Sequence, residues 1–336
     1  MGKTPAHGEI SLDVLDIDCR EATEQIEASI KTTVLKRFRK RGAVVGISGG
    51  IDSSVVATLC VRALGAEQVC LLLMPEGESA SSDESTKLGR LLAESLGIEA
   101  RLEDITSVLE GTDCYARRDE ALREVIPNYG PGWKSKIVLP SVIDSDRFRI
   151  FSVVARSPEG EEVKARLRPQ SYLGIVAATN FKQRTRKMME YYHADRLNFA
   201  VAGTPNLLEY DQGFFVKGGD GLADFKPIAH LYKSQVYQLA AYLEVPEEIR
   251  SRPPTTDTYS LPQSQEEFYF SLPYDRMDLC LWARNHGVAA VDVGRALDLS
   301  EEQVERVYRD IDSKRRMAVY LHSQALLSGA PDGEAD

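Results

Sequence analysis

Apolar and polar positions follow two rhythms along the first hundred residues. REATEQIEASIKTTVLKRFRK (20–40) spaces Ile26, Ile30, Val34, Leu35 and Phe38 at helical intervals and ends basic. AVVGIS (43–48) is a short apolar run, the pattern of a strand covered on both faces. SSVVATLCVRALG (53–65) returns to a helix and stops at Gly65. QVCLLLMP (68–75) predicts a second buried strand ended by Pro75, and SDESTKLGRLLAESLGI (82–98) a helix opening on Ser and Asp. EARLEDI (99–105) predicts a third strand. Strands alternating with helices imply parallel strands with right-handed crossovers, hence an α/β fold with a doubly wound, mostly parallel sheet.

After a helix near 117–125 the texture changes. PNYGPGWKSKIVLPSV is rich in Gly and Pro, and RFRIFSVVAR and EEVKARLRP flank SPEG as the arms of a β-hairpin. A long helix is then expected over about 170–194, followed by the strand NFAVAGT, a loop to about 228 and the helix LYKSQVYQLAAYL. A Pro-rich connector (252–262) leads to a helical C-terminal region, where DLSEEQVERVYRDIDSKRR starts a helix at Ser300. The expected organisation is a flexible N-terminus (1–18), a nucleotide-binding half (19–126), an inserted hairpin segment (127–169), a second α/β half with C-terminal helices (170–325) and a disordered tail (326–336).

Composition narrows the classes. The chain has 336 residues, 43% hydrophobic and 27% charged, ordinary for a globular protein. A net charge of −10 argues against non-specific binding to nucleic acid or anionic membranes. No run reaches the ~18 apolar residues of a membrane span, and no signal-type apolar segment is read near the N-terminus. Cys19, Cys60, Cys70, Cys114 and Cys280 are dispersed without zinc spacing, as expected in a reducing, cytoplasmic setting.

The chemistry gathers at VVGISGGIDSSVVATLC (44–60). Strand, Gly-rich turn, helix sets backbone N–H groups and a positive helix end against an anion. Ser48, Ser53 and Ser54 add hydroxyls, and Gly49 and Gly50 allow close backbone approach. The Lys of the Walker pattern is missing, and Asp52 would repel a phosphate unless a divalent cation lay between them. The loop therefore predicts Mg²⁺ with a polyphosphate. The plainer reading is a Gly-rich turn with Asp52 capping the helix.

S-G-G-x-D-S resembles the signature of the PP-loop ATP pyrophosphatase superfamily, Rossmann-like enzymes that transfer AMP from ATP to a substrate oxygen. Residues 180–255 are more specific. R-x-R-x-M-x-x-Y-Y, G-T-x-N-x-x-E, G-F-F-x-K-x-G-D-G-x-x-D and K-x-x-V-x-x-L-A-x-x-L-x-V-P, in that order, resemble ammonia-dependent NAD synthetases. The likeness covers about 25–111 and 170–320. It implies ATP contacts from Gly46, Ser48, Gly49, Gly50, Asp52, Ser53, Thr204, Lys233 and Thr255, with Asp52 and Lys233 central to catalysis. It makes Asp52 and Glu209 the Mg²⁺ ligands, and Arg184, Lys217, Asp224 and Lys314 the acceptor-binding set. Singly, each has a bland alternative: a solvated helix face for Arg184, a surface lysine for Lys233, a helix cap for Glu209. Tyr191, Tyr192 and Tyr242 read as helix packing, and His193 and His230 as structural.

The implied reaction joins ATP, ammonia and a carboxylate, nicotinic acid adenine dinucleotide first among them. A carboxylate oxygen attacks the α-phosphorus, pyrophosphate leaves, and ammonia displaces AMP. Closing loops are expected at 213–224 and 252–262. No glutaminase domain is read upstream, so free ammonia or a separate ammonia-supplying glutaminase is expected, and similar enzymes are homodimers. Four features depart from the pattern: the 127–169 segment, Pro205 after Thr204, P-T-T-D-T-Y at Pro254–Tyr259 with Glu266, Glu267 and Ser271 beyond it, and Ser313 where a His usually precedes Lys314. The ATP half matches and the acceptor half is altered. Two alternatives therefore stand beside NAD synthesis: an amide synthase for another carboxylate, and a non-catalytic nucleotide-binding protein.

Overall fold

In the computed structural model, which describes residues 10–77, 82–139, 151–254, 259–264, 269–270 and 272–326, β1 (Ala43–Gly46) lies between two parallel neighbours. β2 (Val69–Leu73) pairs on one side, with β3 (Arg101–Leu102) beyond it, and β7 (Ala200–Val201) pairs on the other, giving the order β3-β2-β1-β7. Successive side chains point to opposite faces. Ala43, Val45, Leu71 and Leu73 enter a core shared with α1 (Cys19–Lys31), α2 (Ile51–Leu64), α3 (Ser82–Ser95) and α8 (Lys233–Tyr242). Val44, Cys70, Leu72 and Val201 enter a second core with α4 (Thr106–Gly111), α5 (Cys114–Arg123) and α6 (Pro169–Leu197). The continuous apolar strands are thus covered on both faces, and the doubly wound expectation holds. β2 and β3 build outward from β1 in one direction and β7 in the other, so the strand order reverses beside β1. Ligands of open α/β sheets bind at that reversal, outside the carboxyl ends of the strands.

Residues expected as a hairpin form a larger antiparallel sheet, β4-β5-β6. β5 (Ser152–Arg156) and β6 (Glu162–Arg166) are the predicted arms. β4 (Lys134–Val138) is an additional strand that its Gly- and Pro-rich neighbours disguised. Ile137, Val153, Ala155 and Leu167 pack this sheet onto α5 and the start of α6. Residues 140–150, the start of the predicted first arm, lie outside the described residues.

α7 (Leu207–Gln212) lies within the expected loop after β7, and α9 (Glu247–Arg250) follows α8. α10 (Tyr274–Asn285), α11 (Ala290–Leu297) and α12 (Glu301–His322) then share a further core that includes Leu208. Ser300 caps α12 through a reciprocal capping box with Gln303. The third strand is only two residues long, although the Glu103 and Ile105 amides still bond the Leu73 (2.8 Å) and Pro75 (3.1 Å) carbonyls before the chain enters α4. The expected flexible N-terminus is corrected from Leu12 on. Leu12–Leu15 forms a 3-10 turn, Leu15 is buried, and Gln238 hydrogen-bonds both the Ile17 amide (3.1 Å) and the Leu15 carbonyl (3.2 Å). Residues 1–9 and most of the expected tail, 327–336, lie outside the described residues. Among those described, no helix is long and apolar enough to cross a membrane.

Candidate active site

The loop between β1 and α2 sets the site. Gly49 has φ +71°, the left-handed region, and a Cβ there would lie 2.6 Å from the Ser85 carbonyl oxygen, so glycine is required twice over. The first helical bond of α2 runs from the Ser54 amide to the Gly50 carbonyl (3.2 Å), leaving the amides of Ile51, Asp52 and Ser53 without helical partners. Ser53 Oγ accepts from the Ser48 amide (3.2 Å) and donates to the Gly50 carbonyl (3.1 Å), which fixes the turn. The result is a rigid amide-lined cup at the positive end of a 14-residue helix.

Lys233 opens α8 and is buried, and its ammonium is ion-paired with Asp52 Oδ2 across 181 positions of sequence. Asn206 Nδ2 donates to the other oxygen, Asp52 Oδ1 (3.0 Å). Asn206 in turn caps α7, accepting from the Glu209 amide (3.1 Å), while Glu209 Oε2 accepts from the Asn206 amide (3.4 Å). Burial alone would depress the Lys233 ammonium. The carboxylates of Asp52 and Glu209 outweigh it and hold the group above the ordinary lysine range.

The placement of Lys233 depends on α10. Asp278, fully buried, accepts from both the amide and the hydroxyl of Ser234 through Oδ2 (2.7 Å each) and so ties down the first turn of α8. Burial pushes its carboxyl up to about 7 although both Ser234 donors oppose the shift.

Asp52, Glu209 and Lys233 line a cavity of about 430 Å³. Gly46, Ser48, Gly50, Asp52, Ser53, Thr204, Glu209 and Lys233, all expected ATP or metal residues, lie on it. Gly49 shapes the turn beneath it, and Thr255 lies outside the described residues. Behind Gly46 stands Glu190, whose Oε1 would be 2.9 Å from a Cβ there, so a larger residue would close the floor. Glu190 is ion-paired with Lys187 (2.6 Å), and burial nonetheless raises its carboxyl. Asp220, accepting from the Val216 amide (2.7 Å), is raised by burial in the same way.

The expected acceptor residues go elsewhere. Arg184 donates to the Lys217 carbonyl (3.3 Å), and Lys217 Nζ is held at the end of α12 by the carbonyls of Tyr320 (2.7 Å) and Ser323 (2.8 Å). Asp224 accepts from the Val201 amide (2.7 Å) and the Tyr191 hydroxyl (3.1 Å). Lys314 is buried against Asp310 and the Tyr269 carbonyl (2.7 Å each). None of the four lines the cavity. Tyr192 and Tyr242 are exposed, not packed as expected. His193 has the structural role expected of it, bridging Glu103 (2.8 Å) and Arg196 (3.2 Å). Sequence reasoning missed Asn206, although N-x-x-E before an apolar turn is a readable capping box. Asp278 left no local signal, since its partner lies 44 positions away.

Chemically, the cup accepts phosphate oxygens, Lys233 supplies a fixed cation, and Asp52 and Glu209 present carboxylates to the same space. Two hard oxygen ligands suit Mg²⁺, which takes its remaining positions from phosphates and water. Among the described residues no group of three or more His, Cys, Asp or Glu gathers into an all-protein metal cage. The donor set therefore fits a cation that arrives with a polyphosphate.

The sequence model of the NAD synthase family matches residues 22–125 and 152–318, passing over only 126–151 between them. The chain is 61% identical over 312 residues to the NH(3)-dependent NAD(+) synthetase of Rhizobium meliloti, covering 93% of this chain and 92% of the relative. It is 58% identical to that of Mesorhizobium japonicum, covering 94% and 98%. In fold it is similar to NMN synthetase from Francisella tularensis (TM-score 0.60, 23% identity, 95% of this chain and 100% of that one). It is equally similar to the NH3-dependent NAD synthetase from Campylobacter jejuni (TM-score 0.59, 22% identity, 93% and 100%). A phosphate cup built on S-G-G-x-D-S, a Lys233–Asp52 pair and a family match over most of the length lead to one conclusion: the chain belongs to the NAD synthase family.

Proposed function

We propose that the protein is a ligase that forms a C–N bond, making NAD from nicotinic acid adenine dinucleotide, ammonia and ATP with release of AMP and pyrophosphate. The observation that carries the reading is the Lys233–Asp52 pair at the mouth of the amide cup, in a chain this close to NH(3)-dependent NAD(+) synthetases. The ATP phosphates would lie in the cup, against the first amides of α2 and the hydroxyls of Ser48 and Ser53. Lys233 would then lie where negative charge builds as the α–β bond breaks. Such a cation, fixed in place before reaction, stabilises developing charge without reorganising. Asp52 and Glu209 would hold Mg²⁺, which when bound neutralises phosphate charge. Asn206 keeps the Asp52 carboxylate oriented. The acceptor carboxylate oxygen bonds to the α-phosphorus as pyrophosphate leaves; ammonia then bonds to the acyl carbon as AMP leaves, with loss of a proton. No covalent enzyme intermediate is required, and catalysis is positioning and charge neutralisation.

A homodimer belongs to the same proposal. Arg184, Met188 and Tyr192 follow one another at i, i+4 on α6, and Met188 and Tyr192 are 54% and 57% exposed. Met317, Val319 and Tyr320 on α12 are exposed beside the Lys217 anchor. Acceptor residues that avoid their own cavity and border apolar surface fit a dinucleotide site completed by a second copy. The free cysteines fit a reducing cytoplasm. Ammonia would come from solution or from a separate glutaminase. The departures in the acceptor half keep one competing substrate class in view, another carboxylate. ATP–pyrophosphate exchange separates them. Exchange that depends on nicotinic acid adenine dinucleotide is expected, and exchange driven only by some other carboxylate contradicts the assignment.

A further inference from the structure

Arg252 lines the cavity beside the phosphate cup with one arm unbonded. It follows α9, whose Ile249 is buried in the same core as α2. Its Nη1 donates to Ser85 Oγ (3.2 Å). Ser85 lies against the cup itself: its carbonyl oxygen would be 2.6 Å, and its Cα 3.0 Å, from a Cβ on Gly49. Arg252 Nη2 is buried and has no hydrogen-bond acceptor, on a side chain only 9% exposed. Buried donors normally find an acceptor, and a charged one left without is costly. One carboxylate, Glu84 Oε2, stands 3.6 Å from Nη2, outside hydrogen-bond reach, and its side chain is 67% exposed. A pair of that length and exposure holds an arginine weakly.

The charge in the site calls for such a group. Lys233 is matched by Asp52, and Glu209 offsets half the charge of a divalent cation. Cup, lysine and metal together therefore leave most of a triphosphate's charge unbalanced. Of the other cations described on the cavity wall, Lys187 is paired with Glu190 (2.6 Å) and Arg186 donates to the Met74 carbonyl (3.2 Å), just past β2. Among the described residues on that wall, Arg252 is the one with a buried N–H that lacks an acceptor. A guanidinium also suits the task, since its planar fork of donors matches paired phosphate oxygens.

We propose that Arg252 binds the β- or γ-phosphate of ATP, its guanidinium taking the phosphate oxygen that Nη2 lacks, and that it stays on pyrophosphate as this leaves. This rests on the ATP half of the reading above and adds a residue to it. Lys233 reaches the cup from the Asp52 side and Arg252 from the Ser85 side, so cations on two separate elements hold the leaving group. Charge placed before reaction stabilises the leaving group where its own charge develops. No local pattern marks Arg252 in the sequence, because Ser85 lies 167 positions away.

Calorimetric titration of Mg²⁺-pyrophosphate into the purified protein tests it, with AMP titrated as a second ligand. Arg252→Gln should weaken pyrophosphate binding about 10-fold or more, the scale of a hydrogen bond to a charged group, and leave AMP binding within about twofold. Arg252→Lys keeps the charge and loses the fork, and should recover part of the loss. Glu84→Gln should leave pyrophosphate binding within about twofold. Unchanged pyrophosphate binding in Arg252→Gln overturns the proposal, as does a wild type that takes up no pyrophosphate. An equal loss for AMP overturns it as a general loss of structure, and an equal loss in Glu84→Gln overturns it by making Arg252 a clasp on α3. If Arg252→Gln does not fold, Arg252→Lys decides alone: pyrophosphate binding weaker by about threefold or more with AMP unmoved supports the contact, and unmoved binding of both overturns it. Wild type is assayed for NAD alongside. Pyrophosphate binding that needs Arg252, with no NAD formed, keeps the contact and removes the amidation reading; NAD formed with unmoved pyrophosphate binding removes the contact only.

Discussion

Asp52 holds Lys233 on one oxygen and Asn206 on the other, so the carboxylate is fixed before any substrate arrives. Asp52→Asn keeps the shape but loses the charge that a metal needs. We expect Mg²⁺-dependent AMP formation to drop by at least ~10²-fold, the scale of losing one preorganised electrostatic group. Wild-type rates in that variant would refute the metal assignment. Gly49→Ala tests the cup itself. A left-handed φ and the Ser85 carbonyl both oppose a Cβ, so a loss of about 1–3 kcal/mol in unfolding free energy is expected, read by chemical denaturation. Much of this site was legible at the residue scale, because S-G-G-x-D-S is local and its geometry follows from its glycines and helix start. The Lys233 partner was not legible from spacing, since the pair closes only when α8 packs on α2. Likeness to a family assigned Lys233 to the ATP phosphates but did not foresee its pairing with Asp52, and the same likeness placed Arg184 and Lys217 at a substrate although neither lines the cavity.

Among the elements, α8 shows how a buried acid sets a helix start. Protonation of Asp278 is favoured in the folded protein, where its pKa is about 7 against 3.8 for the free side chain. The folded state binds more protons between these values, so this group's stabilisation is complete below about pH 4 and is lost as pH rises towards 7. Asp278→Asn abolishes the titration. The melting temperature of wild type minus that of the variant should therefore fall from pH 5 to pH 8; a difference constant across that range contradicts the raised pKa. Ser300→Ala, which removes the α12 cap, should cost about 1 kcal/mol with little change in kcat. Long elements were readable because their caps and apolar spacing are local. β3 was read within EARLEDI, though it is shorter than expected, and β4 was not, because its alternation hides between Gly/Pro turns.

On the scale of the whole molecule, two cores sandwich the β3-β2-β1-β7 sheet, and the strand reversal beside β1 opens the cavity they support. That architecture was legible, since buried parallel strands are continuous apolar runs. The β4-β5-β6 sheet was legible only as a hairpin. Exposed apolar residues on α6 and α12 lead us to expect a dimer in sedimentation equilibrium at micromolar concentration, and a strict monomer would remove the cross-subunit acceptor site. The most direct test of the central claim is product stoichiometry. The purified protein is incubated with ATP, Mg²⁺, ammonium and nicotinic acid adenine dinucleotide, and AMP and NAD are quantified together. The account predicts one AMP per NAD and neither product without ammonium beyond a slow hydrolytic background. AMP accumulating with no NAD, or no AMP at all, would contradict it.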